Sequence, residues 1–456
     1  MRPNHKPYLH LPIETKVREF HGKLLFSLIA AENGFNVILG GQHMLREQLQ
    51  RFPRGVYIDK SVSVRKNKWF RNCRRLGNVV TAWDEEGLLF FDADMYHQMR
   101  LSTEALDQIQ RFFAWGNVQK EAICQKIPAA RKLVNITGNP RFDMLRPEFR
   151  DFYRDEADEI KEKYGRIILV NTNFQLYNFF DGPAAARKAL ETYPIARSNP
   201  KFYDGWIEIS RKMFAWFARM VAKLSMSFPK HTIILRPHPS ENRQIWRDIL
   251  KGFHNVNVIG EGNVIHWIMA SEVMIHFNCT TGVEAFLLDV PAIDFRPLTS
   301  GYYEQHLPNA LSIQVSDLAD LMETVEMILK KGRHAEVWQN SDEREKTVME
   351  YIYGYRGALA SENIIDAIKN LDVPPAYERT PAQRYYQLER AVYWALYKRY
   401  TRIMFPHSEK YNQQKFPGLD ILEIQKAHNK LKVVSGRFSD IQIKSVSKSC
   451  FEIFSS

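Results

Sequence analysis

Cysteine is scarce in this chain: four residues in 456, Cys73, Cys124, Cys279 and Cys450, far apart and without a CxxC pair. That spacing excludes a zinc ribbon and offers no disulfide framework, so a reducing compartment is expected. No stretch reaches the ~18 uninterrupted apolar residues of a membrane-spanning helix. Residues 1–10 carry Arg2, Lys6 and two histidines, and Glu14, Lys16 and Arg18 cut the next apolar run, which does not suit a secretory leader. The expected location is the cytoplasm, free or peripheral on the inner face of the membrane. The Walker A loop, GxGxxG after a strand, HExxH and GxSxG are all missing. Asp92 and Asp94 have DxD spacing but flank Ala93 in a stretch that reads as helix or loop. No metal and no bound cofactor are therefore expected.

What is present is a globular composition, 45% hydrophobic and 25% charged, with a net charge of +11. A basic chain suits anionic partners: nucleotide, nucleic acid, membrane surface or acidic polysaccharide. Nucleic acid ranks last, because the basic residues are spread rather than gathered in a known module.

The chain alternates strand and helix. Strands are predicted at 8–13, 36–40, 55–59, 78–83, 111–115 and 132–136, with helices between them. A charged helical segment, 146–164, reads as a bridge. The rhythm restarts with strands at 166–171, 232–235, 256–259, 272–276 and 290–295. An aromatic insertion, 173–203, precedes a long helix from Trp206 to Phe228. Such alternation implies two doubly wound α/β domains, 1–150 and 165–370, with ligands at the carboxyl ends of the strands and in the cleft between the domains. The extension, 371–456, opens on Pro374-Pro375. Its helix, 381–404, carries Tyr385, Tyr386, Tyr393, Trp394, Tyr397 and Tyr400 beside Arg384, Arg390, Lys398, Arg399 and Arg402. It suits either an anionic membrane surface or packing across the domains.

Five segments could carry chemistry. Asn278-Cys279-Thr280-Thr281-Gly282-Val283-Glu284 lies between a strand and a helix, where backbone N–H groups and hydroxyls can take a phosphate and Glu284 can reach a ribose. The structural alternative is a capping box, Thr281 with Glu284. Arg236-Pro237-His238-Pro239-Ser240 follows a strand and projects an Arg and a His that donate to phosphate oxygens. Asp84-Glu85-Glu86-Gly87 places carboxylates at a strand end, suited to general acid–base work. In Glu14-Thr15-Lys16-Val17-Arg18-Glu19, Lys16 and Arg18 could hold an anionic sugar. Asp204 precedes the long helix, where an N-cap is the simplest reading.

These segments resemble the bacterial surface-carbohydrate biosynthesis proteins, which include the retaining β-Kdo glycosyltransferases. The resemblance also rests on Leu11-Pro12-Ile13, Phe113-Ala114-Trp115-Gly116, Thr137-Gly138-Asn139-Pro140-Arg141-Phe142-Asp143, Asn171-Thr172-Asn173-Phe174, Phe416-Pro417-Gly418 and Gly436-Arg437-Phe438. It implies a GT-B-like architecture with two Rossmann-like domains and a helical extension. It implies transfer of a Kdo-like 3-deoxy-2-ulosonic acid from a CMP-sugar, with retention, to a glycan or lipid-linked glycan. By position it makes Asp204 the nucleophile, with Asp181 as competitor, and Glu86 the acid/base. Arg236, His238, Ser240, Asn278, Thr280, Thr281, Gly282 and Glu284 would bind the donor. Lys16, Arg18, Asn171 and Asn173 would meet sugar or acceptor. The alternatives are a CDP-polyol phosphotransferase, a UDP-sugar epimerase, and a non-catalytic scaffold of a polysaccharide complex.

Overall fold

The computed structural model describes residues 6–191, 199–336, 338, 342–404 and 415–456. Part of the aromatic insertion lies outside these residues, as do the side chains of Lys398, Arg399, Tyr400 and Arg402.

The strands follow in chain order: β1 (Tyr8–Ile13), β2 (Asn36–Gly41), β3 (Gly55–Asp59), β4 (Val79–Trp83), β5 (Arg111–Ala114), β6 (Val134–Ile136), β7 (Ile167–Asn171), β8 (Thr232–Arg236), β9 (Val256–Val258), β10 (Val273–His276), β11 (Ala292–Phe295), β12 (Ile313–Val315), β13 (Ile441–Ser447) and β14 (Cys450–Ser455). They build two sheets, β13-β14-β2-β1-β3-β4-β5-β6 and β12-β11-β10-β7-β8-β9. Neighbours from β1 to β12 are parallel, and β14 runs antiparallel to both β2 and β13. Every residue of β1, β3, β4 and β7 is buried, because helices cover both faces of a parallel sheet. The two doubly wound domains expected from the alternation are therefore present.

Strand order fixes where ligands can sit. The order reverses between β1 and β3 in the first sheet and between β7 and β10 in the second. Crevices open beyond the carboxyl ends of strands at such points.

The chain divides into two compact units. The first comprises Met1–Leu88, Arg100–Phe149 and Met349–Ser456; the second comprises Leu89–Met99 and Arg150–Val348. This differs from a separate extension after 371. Two sets of bonds draw the late segments into the first unit. The carboxylate of Asp143 accepts the amides of Ala360 and Ser361, both at 2.8 Å, and the Ser361 hydroxyl, so it caps the helix Ala360–Lys369. The β14 strand pairs with the edge of β2, and Tyr8 donates to Glu452 at 2.7 Å. The stretch 342–370, which reads as one helix, is broken into Asp342–Tyr351 and Ala360–Lys369.

A buried histidine in β1 gives this core a pH dependence. His10 is fully buried and its Nε2 lies 2.9 Å from the carbonyl of Pro53. Burial holds its pKa down to about 4, against an ordinary 6.5. The unfolded chain therefore takes this proton first, and stability is lost as pH falls below 6.5. By pH 5 the loss is about 2 kcal/mol. Urea unfolding at pH 7 and pH 5 should show it. The loss should shrink in His10→Gln, whose amide can still donate to Pro53.

Candidate active site

At the β7/β10 switch point the second unit gathers Asn171, Thr172 and Asn173 after β7, Arg236 to Glu241 after β8, and Phe277 to Gly282 after β10. The helix Thr280–Leu287 starts directly at the crevice. Its N-cap is Cys279, and no side chain caps it. The Thr281–Glu284 capping box is thus not formed. With Cys279 as N-cap the reciprocal position would be residue 282, and Glu284 is buried within the helix body. An uncapped helix start presents amide donors and the positive end of the dipole.

The floor beneath this start is close to neutral. Gly282 sits on the His276 ring, so closely that a Cβ there would lie 2.3 Å from Nε2. His276 is fully buried, its Nε2 is 2.8 Å from the Ser312 hydroxyl, and burial lowers its pKa to about 3. Asp294 lies 3.7 Å from His276, and burial raises its carboxyl to about 7 despite Arg296. At neutral pH Asp294 therefore carries only part of its negative charge, and Arg296 lies 3.6 Å from it.

Glu241, which the sequence reading passed over, organises the neighbouring loop. Its carboxylate accepts from the Thr172 hydroxyl at 2.8 Å, Phe174 N at 3.0 Å, Trp246 Nε1 at 2.9 Å, His238 N at 3.1 Å and Asn178 Nδ2 at 3.4 Å. This one buried group therefore ties the loop after β7 to the loop after β8. His238 Nδ1 accepts from Ser240 N at 3.2 Å, which fixes the ring within the loop after β8. Arg236 is deployed differently from the expectation. Its two terminal nitrogens donate to the carbonyls of Glu261 at 2.7 Å and Gly262 at 3.0 Å, and the guanidinium lies over the Trp267 ring. Burial lowers it to about 10, so it stays charged at neutral pH. Asn278 is also a strut. It adopts a left-handed φ of 47°, donates to Tyr303 O at 2.9 Å and accepts from Gln305 N at 3.1 Å. Asn171 is buried with Nδ2 3.2 Å from the Met274 sulfur, and Asn173 is half-buried.

The first unit has a charged cluster at its β1/β3 switch point. Glu19 accepts the amides of Glu14 and Thr15, both at 3.0 Å, and Lys23 at 2.7 Å. Lys23 also reaches Pro12 O at 2.7 Å and Glu85 at 3.1 Å, and Trp83 Nε1 donates to Glu85 at 2.8 Å. Glu14 pairs with Lys60 and, at 3.2 Å, with Lys415. Asp84 pairs with Arg100. Lys16 is taken by Glu423 and Gly418 O, both at 2.6 Å. Arg18 pairs with Glu86 at 2.5 Å.

Glu86 keeps 48% of its side-chain surface exposed. The surrounding protein would raise its pKa, but Arg18 and Arg100 prevail and hold it down to about 2. It is thus an ionised carboxylate at neutral pH, a base rather than an acid in the resting protein.

Asp204 is not an N-cap. The long helix begins at Pro200, and Asn199 caps it by accepting Phe202 N at 3.3 Å. Asp204 stands on the second turn, 54% exposed, and pairs with Arg187 at 2.9 Å. Beside it, Phe202 and Tyr203 pack with Met95, Phe91, Trp206 and Tyr303. Asp181, in the loop before the helix Pro183–Leu190, is exposed.

No family model matches the sequence, and none of the curated proteins does. Similar solved structures include a UDP-GlcNAc 2-epimerase from Neisseria meningitidis bound to UDP-GlcNAc, with a TM-score of 0.50 and 13% identity over 80% of this chain and 100% of that one. The wall teichoic acid polymerase TagF, soaked with CDPG, has a TM-score of 0.49 and 11% identity over 80% of this chain and 88% of that one. A co-structure of S. aureus MnaA with UDP has a TM-score of 0.46 and 13% identity over 80% and 96%. The fold is GT-B-like, with two Rossmann-like domains. The comparisons give no Kdo-specific family.

Proposed function

We propose that this chain is a glycosyltransferase that uses a nucleotide-activated sugar of surface polysaccharide synthesis, with the donor phosphate held at Thr280, Thr281 and Gly282. The observation that carries this reading is the start of the helix Thr280–Leu287, without an N-cap side-chain hydrogen bond and set at the strand-order reversal. His238, in the loop after the adjacent strand, is the second residue proposed to meet the donor phosphate. The finer proposal, from the sequence resemblance, is a CMP-linked Kdo-like donor and transfer with retention to a glycan. In that reaction a carboxylate displaces CMP to form a glycosyl ester, and the ionised Glu86 then takes the proton of the acceptor hydroxyl as its oxygen attacks the sugar and releases the carboxylate, with the Arg18 contact loosening to admit the acceptor. Asp204 remains the proposed nucleophile, with the Arg187 pair to be broken before attack.

Thr280→Glu separates binding from folding. A carboxylate in the first turn favours the helix dipole, so the ligand-free melting temperature should hold or rise. The same charge opposes phosphate, and nucleotide affinity should fall about tenfold or more, or ~1.4 kcal/mol. Thermal shift with CMP, CDP, UDP, GDP and ADP reads both effects. A rise with CMP alone supports the CMP-sugar acid. A rise with CDP or UDP instead moves the reading to polyol-phosphate or epimerase chemistry. A flat response to all five overturns the enzyme reading in favour of a scaffold.

A further inference from the structure

The helix Pro381–Met404 of the first unit is built inside out. Its packed side is polar and aromatic. Tyr386 donates to Asn72 at 2.6 Å, Gln387 donates to Gln50 O at 2.5 Å, and Trp394 meets the His43 ring edge-on. At helical spacing the opposite side carries Tyr385, Leu388, Val392 and Leu396, which are 73%, 68%, 58% and 65% exposed. A helix that packs through one face ordinarily turns charge to water on the other. Here four large apolar side chains form one continuous outward stripe, a pattern that marks an interaction surface.

The surroundings of the stripe are cationic. The sequence of the helix holds five Arg or Lys and one acidic residue, Glu389, and among its described side chains Arg384 is exposed. Beside it runs the helix Asn67–Arg75, whose Lys68, Arg71, Arg74 and Arg75 are all exposed. The two helices touch, since the Arg75 guanidinium lies 3.7 Å above the Tyr386 ring. Apolar residues flanked by cations match a bilayer of anionic lipids, where side chains enter the headgroup boundary and arginines meet phosphates. Among the described residues no helix is long and apolar enough to cross a membrane, so this one would lie in the plane. A second copy of the chain fits less well. A two-fold contact through the stripe would bring the same cations face to face.

We propose that the stripe Tyr385–Leu388–Val392–Leu396, with the basic helix Asn67–Arg75, docks the protein on an anionic lipid surface. Co-sedimentation of the full chain with phosphatidylglycerol/phosphatidylcholine vesicles, against pure phosphatidylcholine, tests it. Preference for the anionic vesicles, weakened by salt, is expected. The triple variant Leu388→Glu/Val392→Glu/Leu396→Glu should bind at least about tenfold more weakly. Arg71→Glu/Arg74→Glu should also weaken binding, with the apolar stripe intact. All these positions are exposed, so melting temperatures should match that of the parent. The proposal is overturned by absence of vesicle binding, by binding that both variants leave unchanged, or by a stable dimer that the triple variant dissociates.

Discussion

Replacing Lys23 with methionine should destabilise the first unit by about 3–5 kcal/mol. Lys23 is buried and serves two buried carboxylates, Glu19 at 2.7 Å and Glu85 at 3.1 Å. Burial alone would lower the Lys23 pKa, but the two carboxylates raise it, so the ammonium is charged in the fold. Methionine fills much of the same volume but leaves two buried carboxyl groups facing each other, with only Arg18, 3.8 Å from Glu19, as a neighbouring cation. Chemical denaturation at pH 7 measures the loss. Adding Glu19→Gln and Glu85→Gln should recover much of it, because the pair is then neutral. Acid should narrow the gap too: without Lys23 the two carboxyls bind protons more readily in the fold, and protonation relieves their repulsion. A loss under about 1 kcal/mol would mean that water reaches this cluster.

Glu241→Ala should cost about 3–5 kcal/mol and should also remove the nucleotide-induced thermal shift. Four donors from two loops, with Trp246 of the helix Arg243–Ile249, converge on this carboxylate, and alanine leaves all five to find other acceptors inside the protein. The loop holding Asn173 and the loop holding His238 then lose their common anchor. Glu241→Gln is the sharper comparison: it keeps the volume but turns an N–H toward donors. Both variants should shift the urea midpoint, and Ala should shift it further. Retention of the full ligand response in Glu241→Ala would show that the two loops are fixed by other contacts.

Much of the architecture was readable because its residues obey a period. Strands β1, β3, β7 and β8 are short runs of β-branched and apolar residues, and their observed ends fall within a residue or so of those expected. The first helix was harder. It starts at Lys16, inside the charged segment Glu14–Glu19, because Glu19 and Lys23 pair inside the fold where charges ordinarily signal a loop. The helix Pro381–Met404 was read at its observed bounds, but the period does not report that its apolar stripe faces outward. The end of the chain was read as a helical extension, and the β13–β14 hairpin lay beyond that reading. Its place on β2 follows from a pairing more than 400 residues apart, which no local pattern reports. The site was legible as a set of loops. The division of labour within it was not, because spacing cannot tell a ligand from a strut. Arg236 and Asn278 hold backbone, Lys16 is claimed by Glu423, and Glu241 carried no signal beyond its place after His238.

The β14 strand also governs the order in which the protein can mature. The edge of β2 is synthesised more than 400 residues before the strand that covers it. Until residues 450–455 emerge, that edge exposes unpaired backbone groups, a template for wrong partners. The second unit depends on residues 89–99 and 150–348 and is complete well before then. During translation it can fold as a finished body while the first unit is still open, so quality control of the nascent chain has most to guard at its N-terminal end.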